Sequence, residues 1–158
     1  MPIKSAAKSK SSSDKKRTAK NGISKKKAYL VFISHSTSDR WIARQISYLL
    51  EAKGRRCGVK TFLDERGIGI GDSIPETIRQ NIENCNEFLV LLTRNSINRP
   101  WVMIEISAAW GQRKRIAAII DKVTPEEMPE IILPYKAVDL NDLDDYIDQL
   151  LERARGSR

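Results

Sequence analysis

A chain of 158 residues with a formal charge of +8 is of single-domain size and long enough to bury a sizeable core. The charge is lopsided: residues 1–27 hold nine lysines and Arg17 against one acid, Asp14, while the remainder is close to neutral, so the basic excess excludes no function of the body. No stretch approaches the roughly 18 continuous apolar residues of a membrane span, and Cys57, Cys85 and the single histidine, His35, lack the spacing of a structural metal site.

In chain order, residues 1–27 come first, rich in Lys and Ser and nearly without apolar residues beyond Ile3 and Ile23. Such a segment buries too little surface to offset its ordering entropy and is expected to be disordered. It reads either as a basic arm for nucleic acid or an anionic surface, or more plainly as a solubilising leader or linker. It lacks the apolar centre of a secretory signal, so the chain is expected to be soluble and cytoplasmic.

Ala28–Ile33 (AYLVFI) is a continuous apolar, β-branched run, as for a strand buried on both faces. Ser34–Asp39 is a polar turn full of capping residues. Ile42, Ile46, Leu49 and Leu50 then recur at helical spacing, with a stop near Gly54. Val59–Leu63 reads as a second strand, Asp64–Asp72 as a loop, and Ser73 to about Cys85 as a helix with Pro75 in its first turn. Phe88–Leu92 (FLVLL) is a third buried strand. A helix follows, with Asn98 as candidate cap and Pro100 in its first turn, running to about Gln112. Arg115–Ile120 is a fourth strand, residues 121–133 a loop or short helical turn, and Pro134–Val138 a weak fifth strand. Leu140, Leu143, Ile147, Leu150 and Leu151 mark a final amphipathic helix. Strands alternating with helices over short connections predict an α/β fold: a doubly wound parallel five-stranded sheet with helices on both faces. Ligands in such folds sit beyond the carboxyl ends of the strands, which singles out Ser34–Asp39, Asp64–Ser73 and Thr93–Trp101.

The glycine-rich loop Gly67-Ile68-Gly69-Ile70-Gly71-Asp72 is not a dinucleotide fingerprint. A GxGxxG would need glycine where Asp72 stands, and the loop follows the second strand rather than the first. Glycine at alternate positions suits a mobile or contact-making loop. Ser34-His35-Ser36 offers hydroxyls, an imidazole and backbone N–H groups at a helix start, which suits phosphate or ribose; plain helix capping by Ser36 or Ser38 is the alternative. A Ser/His/Asp hydrolase is disfavoured, because His35 adjoins both serines and no GxSxG elbow occurs.

Glu105 is the sharpest candidate. Helical glutamates are ordinarily solvated, but Ile104, Ile106, Ala108 and Ala109 surround this one, and Trp101 lies one helical turn away on its face. One carboxylate suffices for a substrate whose leaving group is already cationic. Nicotinamide departs from NAD+ as a neutral ring, and a carboxylate near the ribose stabilises the oxocarbenium-like transition state electrostatically. The indole would stack on a ring of the substrate.

With these residues in view, the chain resembles the Toll/interleukin-1 receptor (TIR) domain family over residues 28–155. The likeness rests on Val31–Ser36 as the first box, Phe62-Leu63-Asp64 with Gly71-Asp72-Ser73-Ile74 around the BB loop, and Trp101-Val102-Met103-Ile104-Glu105 as the WxxxE segment. It implies a flavodoxin-like sheet, Glu105 as the catalytic residue, and Ser34, His35, Ser36, Ile68 and Trp101 as NAD-binding residues. It implies no metal or bound cofactor, since NAD+ is the substrate. The bacterial members it resembles cleave NAD+ to nicotinamide and linear or cyclic ADP-ribose, and small ones serve as sensors in anti-phage systems, where a nucleotide messenger reaches a separate effector. A homo-oligomer built on TIR–TIR contacts is implied too. The other expectation is a non-enzymatic interaction module, a signalling scaffold or a mimic of host TIR domains.

Overall fold

The structure, a computed structural model, describes residues 27–63 and 74–157. Residues 1–26 of the basic arm, and the loop carrying Gly67 and Ile68, lie outside the described residues. Five strands, β1 (Tyr29–Ser34), β2 (Val59–Leu63), β3 (Glu87–Thr93), β4 (Arg115–Asp121) and β5 (Ala137–Asp139), alternate with four helices, α1 (Arg40–Gly54), α2 (Ile74–Asn84), α3 (Pro100–Gly111) and α4 (Leu143–Gly156). The strands pair throughout in parallel, in the order β2-β1-β3-β4-β5. The sheet is therefore the expected doubly wound α/β type, and the direction of winding reverses between β1 and β3.

Every residue of β3 is buried, because the strand lies mid-sheet with helices on both sides. Side chains alternate across it. Leu89 and Leu91 pack with Val31, Ile33, Ile46 of α1 and Ile147 and Leu150 of α4. Phe88, Val90 and Leu92 pack on the other face with Phe32, Ile82 of α2 and Val102 and Ile106 of α3. Phe32 stacks on Phe88 with ring centroids 5.5 Å apart. Both cysteines are buried free thiols.

One detail differs from the sequence expectations. The N-cap of α3 is Arg99 rather than Asn98, in extended backbone without a side-chain cap bond, with Pro100 opening the helix. Gly54 ends α1, as the sequence predicts. A methyl group there would come within 2.5 Å of Val59 Cβ, so the glycine permits close contact of helix and strand; Gly58, just before β2, takes left-handed backbone at φ 66°. No helix among the described residues is long and apolar enough to cross a membrane.

Candidate functional site

The carboxyl ends of β1 and β3 meet the N-terminal ends of α1 and α3 at the point where the winding reverses. Ser34, the last residue of β1, is fully buried and its Oγ donates to Glu105 Oε2 on α3. Glu105 has no exposed surface. Its neighbours Ile106 and Ala109 are buried while Ile104 is exposed, so the helix turns its carboxylate toward the sheet and Ile104 outward.

The residues after Ser34 leave the strand through a short 3-10 turn, Thr37–Asp39, before α1. Asp39 is buried there and ties the turn to the end of β3. It accepts from Ser36 Oγ at 2.6 Å, Thr93 Oγ1 at 2.7 Å and Asn95 Nδ2 at 2.8 Å. Ser36 is thus held by its bond to Asp39 rather than acting as a side-chain cap. His35 Nδ1 lies 3.3 Å from the Ile33 carbonyl, an atom that can only accept, which places a proton on Nδ1.

Beside this network lies a pocket of about 410 Å³, lined by His35, Ser36, Thr37, Arg40, Arg99 and Trp101, with Pro100, Val102 and Ile104 completing its wall. That volume falls within the range of about 300–1,000 Å³ usual for small-molecule sites. Among the sequence-predicted residues, His35, Ser36 and Trp101 line the pocket. Ser34 and Glu105 lie behind it, bonded to each other, and Ile68 is outside the described residues. Trp101 and Glu105 therefore do not line one cavity side by side, as their spacing suggested: the half-buried indole forms the wall and the carboxylate sits inside it. Among the described residues, no group of three or more His, Cys, Asp or Glu side chains is placed to hold a metal ion.

Arg40, Arg99 and the Asp39 hub were missed by sequence reasoning. The arginines did carry a signal. Each stands at the start of a helix, where the peptide dipoles disfavour a cation. The hub carried none, because its bonds to Thr93 and Asn95 span 54 and 56 residues of chain.

The arrangement can hold a ring against Trp101, an anion against the arginines and a developing positive charge near Glu105. A TIR domain family model matches residues 31–153. The chain is 28% identical over 107 residues to the 2' cyclic ADP-D-ribose synthase BtTIR of Bacteroides thetaiotaomicron, covering 65% of this chain and 36% of that protein. It is 26% identical over 107 residues to the NAD(+) hydrolase TcpC of Escherichia coli, covering 63% of this chain and 33% of that protein. The chain thus spans about a third of the length of these curated relatives. In fold it matches the TIR domain of the Toll-related receptor TRR-2 from Hydra magnipapillata with a TM-score of 0.62 at 23% identity, over 79% of this chain and 97% of that one. With the family model reaching from β1 into α4, and the sheet order agreeing, this chain belongs to the TIR domain family.

Proposed function

We propose that this chain cleaves the bond between nicotinamide and ribose in NAD+, releasing nicotinamide and linear or cyclic ADP-ribose. The observation that carries the reading is the fully buried Glu105, held by the Ser34 hydroxyl immediately behind a pocket that carries an indole. Family membership and the distant relatives named for NAD+ hydrolysis and cyclic ADP-ribose synthesis support it.

In this mechanism the ring of the nicotinamide, or the adenine of a folded substrate, stacks on Trp101. As the C1'–N bond breaks, both its electrons leave with nicotinamide, which becomes neutral, and positive charge develops on the ribose. The Glu105 carboxylate stabilises that charge from a site of low dielectric, where such an interaction is stronger than in water. Attack by water then gives ADP-ribose and a proton; attack by a group of the same molecule gives a cyclic product. Exclusion of water favours the second. Because Glu105 is fully buried and does not line the pocket, the ribose meets the carboxylate only when side chains at the pocket floor yield, so turnover is coupled to an opening step. The product serves, in this reading, as an immune messenger in an anti-phage response.

A second reading, an assembly module, draws on α3, which is apolar on its outer side as well: Ile104 and Trp110 are 54% and 57% exposed. The two readings coexist if packing of copies on this helix drives the opening step. The test of the first is NAD+ consumption by concentrated full-length protein, with products separated by chromatography and identified by mass. Loss of NAD+ with release of nicotinamide supports cleavage, and the mass separates the cyclic from the linear product. Intact NAD+ at high protein concentration with a crowding agent transfers the assignment to the assembly module.

A further inference from the structure

Two cations stand in the wall of the pocket, and among the described residues no acid does. Arg40 and Arg99 are both exposed, and neither forms an ion pair with a carboxylate among the described residues. Their positions are unusual. Arg40 is the first residue of α1 and Arg99 the N-cap of α3, places where the helix dipole favours anions over cations. The other two helices follow the electrostatic rule: α2 has Glu76 in its first turn, and α4 has Asp144 and Asp145. The helices that border the pocket have no acid in the first turn. Asp39, which precedes Arg40, does not line the pocket and is held by Ser36, Thr93 and Asn95.

Arg99 is also steadied. Its Nε donates to the Asn95 carbonyl at 3.1 Å, so the guanidinium is partly ordered before any ligand arrives. A planar guanidinium binds phosphate oxygens in pairs, and two of them at converging helix starts suit an anion with more than one charge. The same wall contains Trp101, so the anion must be joined to a ring. A pyrophosphate flanked by ribosyl groups has that chemistry.

We infer that Arg40 and Arg99 clamp the pyrophosphate of a dinucleotide, making the pocket selective for diphosphate-bridged nucleotides over unphosphorylated nucleosides. This rests on the reading of the pocket as the NAD+ site and adds which part of the substrate supplies the affinity. The cost of placing cations at two helix starts is recovered when the anion binds, so affinity is concentrated at a part of the substrate remote from the bond that breaks.

Binding, rather than turnover, is the readout that separates this inference from the cleavage reaction. ADP-ribose and adenosine are titrated calorimetrically into the full chain, into Arg40→Gln, Arg99→Gln and the double variant, and into Arg40→Lys/Arg99→Lys. The wild type is expected to bind ADP-ribose at least about 30-fold more tightly than adenosine, and the double Gln variant to lose about 30- to 100-fold for ADP-ribose alone. The double Lys variant should retain part of the affinity, since it keeps charge but not the paired geometry. Equal affinity of the wild type for the two ligands, or ADP-ribose binding by the double Gln variant as tight as wild type, overturns the inference. If the double variant fails to fold, the single variants and the wild-type ratio decide in the same way. A chain that binds ADP-ribose through both arginines yet leaves NAD+ intact would lose the cleavage assignment and keep the clamp. One that cleaves NAD+ and binds ADP-ribose equally well without the arginines would keep cleavage and lose the clamp.

Discussion

Two fully buried glutamates stand at opposite ends of the sheet, and the fold treats them differently. Glu87 opens β3 at the amino end. It accepts from the Tyr29 hydroxyl at 3.0 Å and from two nitrogens of Arg153, at 2.8 and 3.1 Å. Burial of Arg153 opposes its charge, but the hydrogen bond and attraction to Glu87 outweigh it and hold the guanidinium above its ordinary pKa. Glu105, at the carboxyl end, is held by the Ser34 hydroxyl behind a pocket with two arginines in its wall. A carboxylate neutralised by an internal guanidinium serves the fold. One set against a pocket that carries cations and a ring is, on the proposed function, placed for a ligand.

The sharpest way to break this comparison is to remove the Glu87 charge. Glu87→Ala leaves Arg153 and Tyr29 without their shared acceptor and should destabilise the chain by about 3 kcal/mol, in the range for a broken buried pair. Urea denaturation checks it; a loss below about 1 kcal/mol would put Glu87 among ordinary surface pairs.

The same cluster should show in alkali. Burial, then the Glu87 charge, pushes the Tyr29 hydroxyl from 10.0 up to about 12, and the same causes push Tyr146 well above its ordinary value. A raised phenol pKa means that the folded state holds the proton more tightly than the unfolded one. The associated stability is present below pH 10 and is lost as pH rises toward 12, a fall on the order of 2 kcal/mol. Unfolding free energy measured across that window should fall in the wild type and much less in Tyr29→Phe/Tyr146→Phe. Equal slopes would show that the two phenols do not set the alkaline loss of stability.

The smallest effect concerns the hydroxyl at the other end. Ser34→Ala deletes the donor to Glu105 and should cost about 1 kcal/mol of stability. It should also slow NAD+ cleavage about tenfold through loss of carboxylate positioning, at the low end of misplacement effects. An unchanged rate would show that Ser34 only fills space.

Much of the fold was legible because its signals are local. Tyr29–Ile33 and Phe88–Leu92 are apolar without interruption, as strands covered on both faces must be, and Pro100 marks a helix start. The three-residue β5 was placed only approximately, since so short an edge strand carries little pattern. The site was legible in part. The WxxxE spacing put Trp101 and Glu105 on one helix, yet which of them meets solvent depends on how α3 rolls against Phe32 and Val90, a tertiary matter. Glu87 drew no attention as the first residue of a strand, because its partners Tyr29 and Arg153 are 58 and 66 residues away. Arg40 and Arg99 gain meaning only when two helix starts are brought to one cavity.

On the proposed function, Glu105 serves chemistry whereas Glu87 serves the fold. The most direct test is Glu105→Gln, which removes charge with little change of shape, measured for NAD+ turnover and for unfolding beside wild type. Turnover is expected to fall at least about 1,000-fold, about 4 kcal/mol of transition-state stabilisation, with stability within about 1 kcal/mol of wild type. Cleavage at the wild-type rate by a folded Glu105→Gln chain would contradict that assignment.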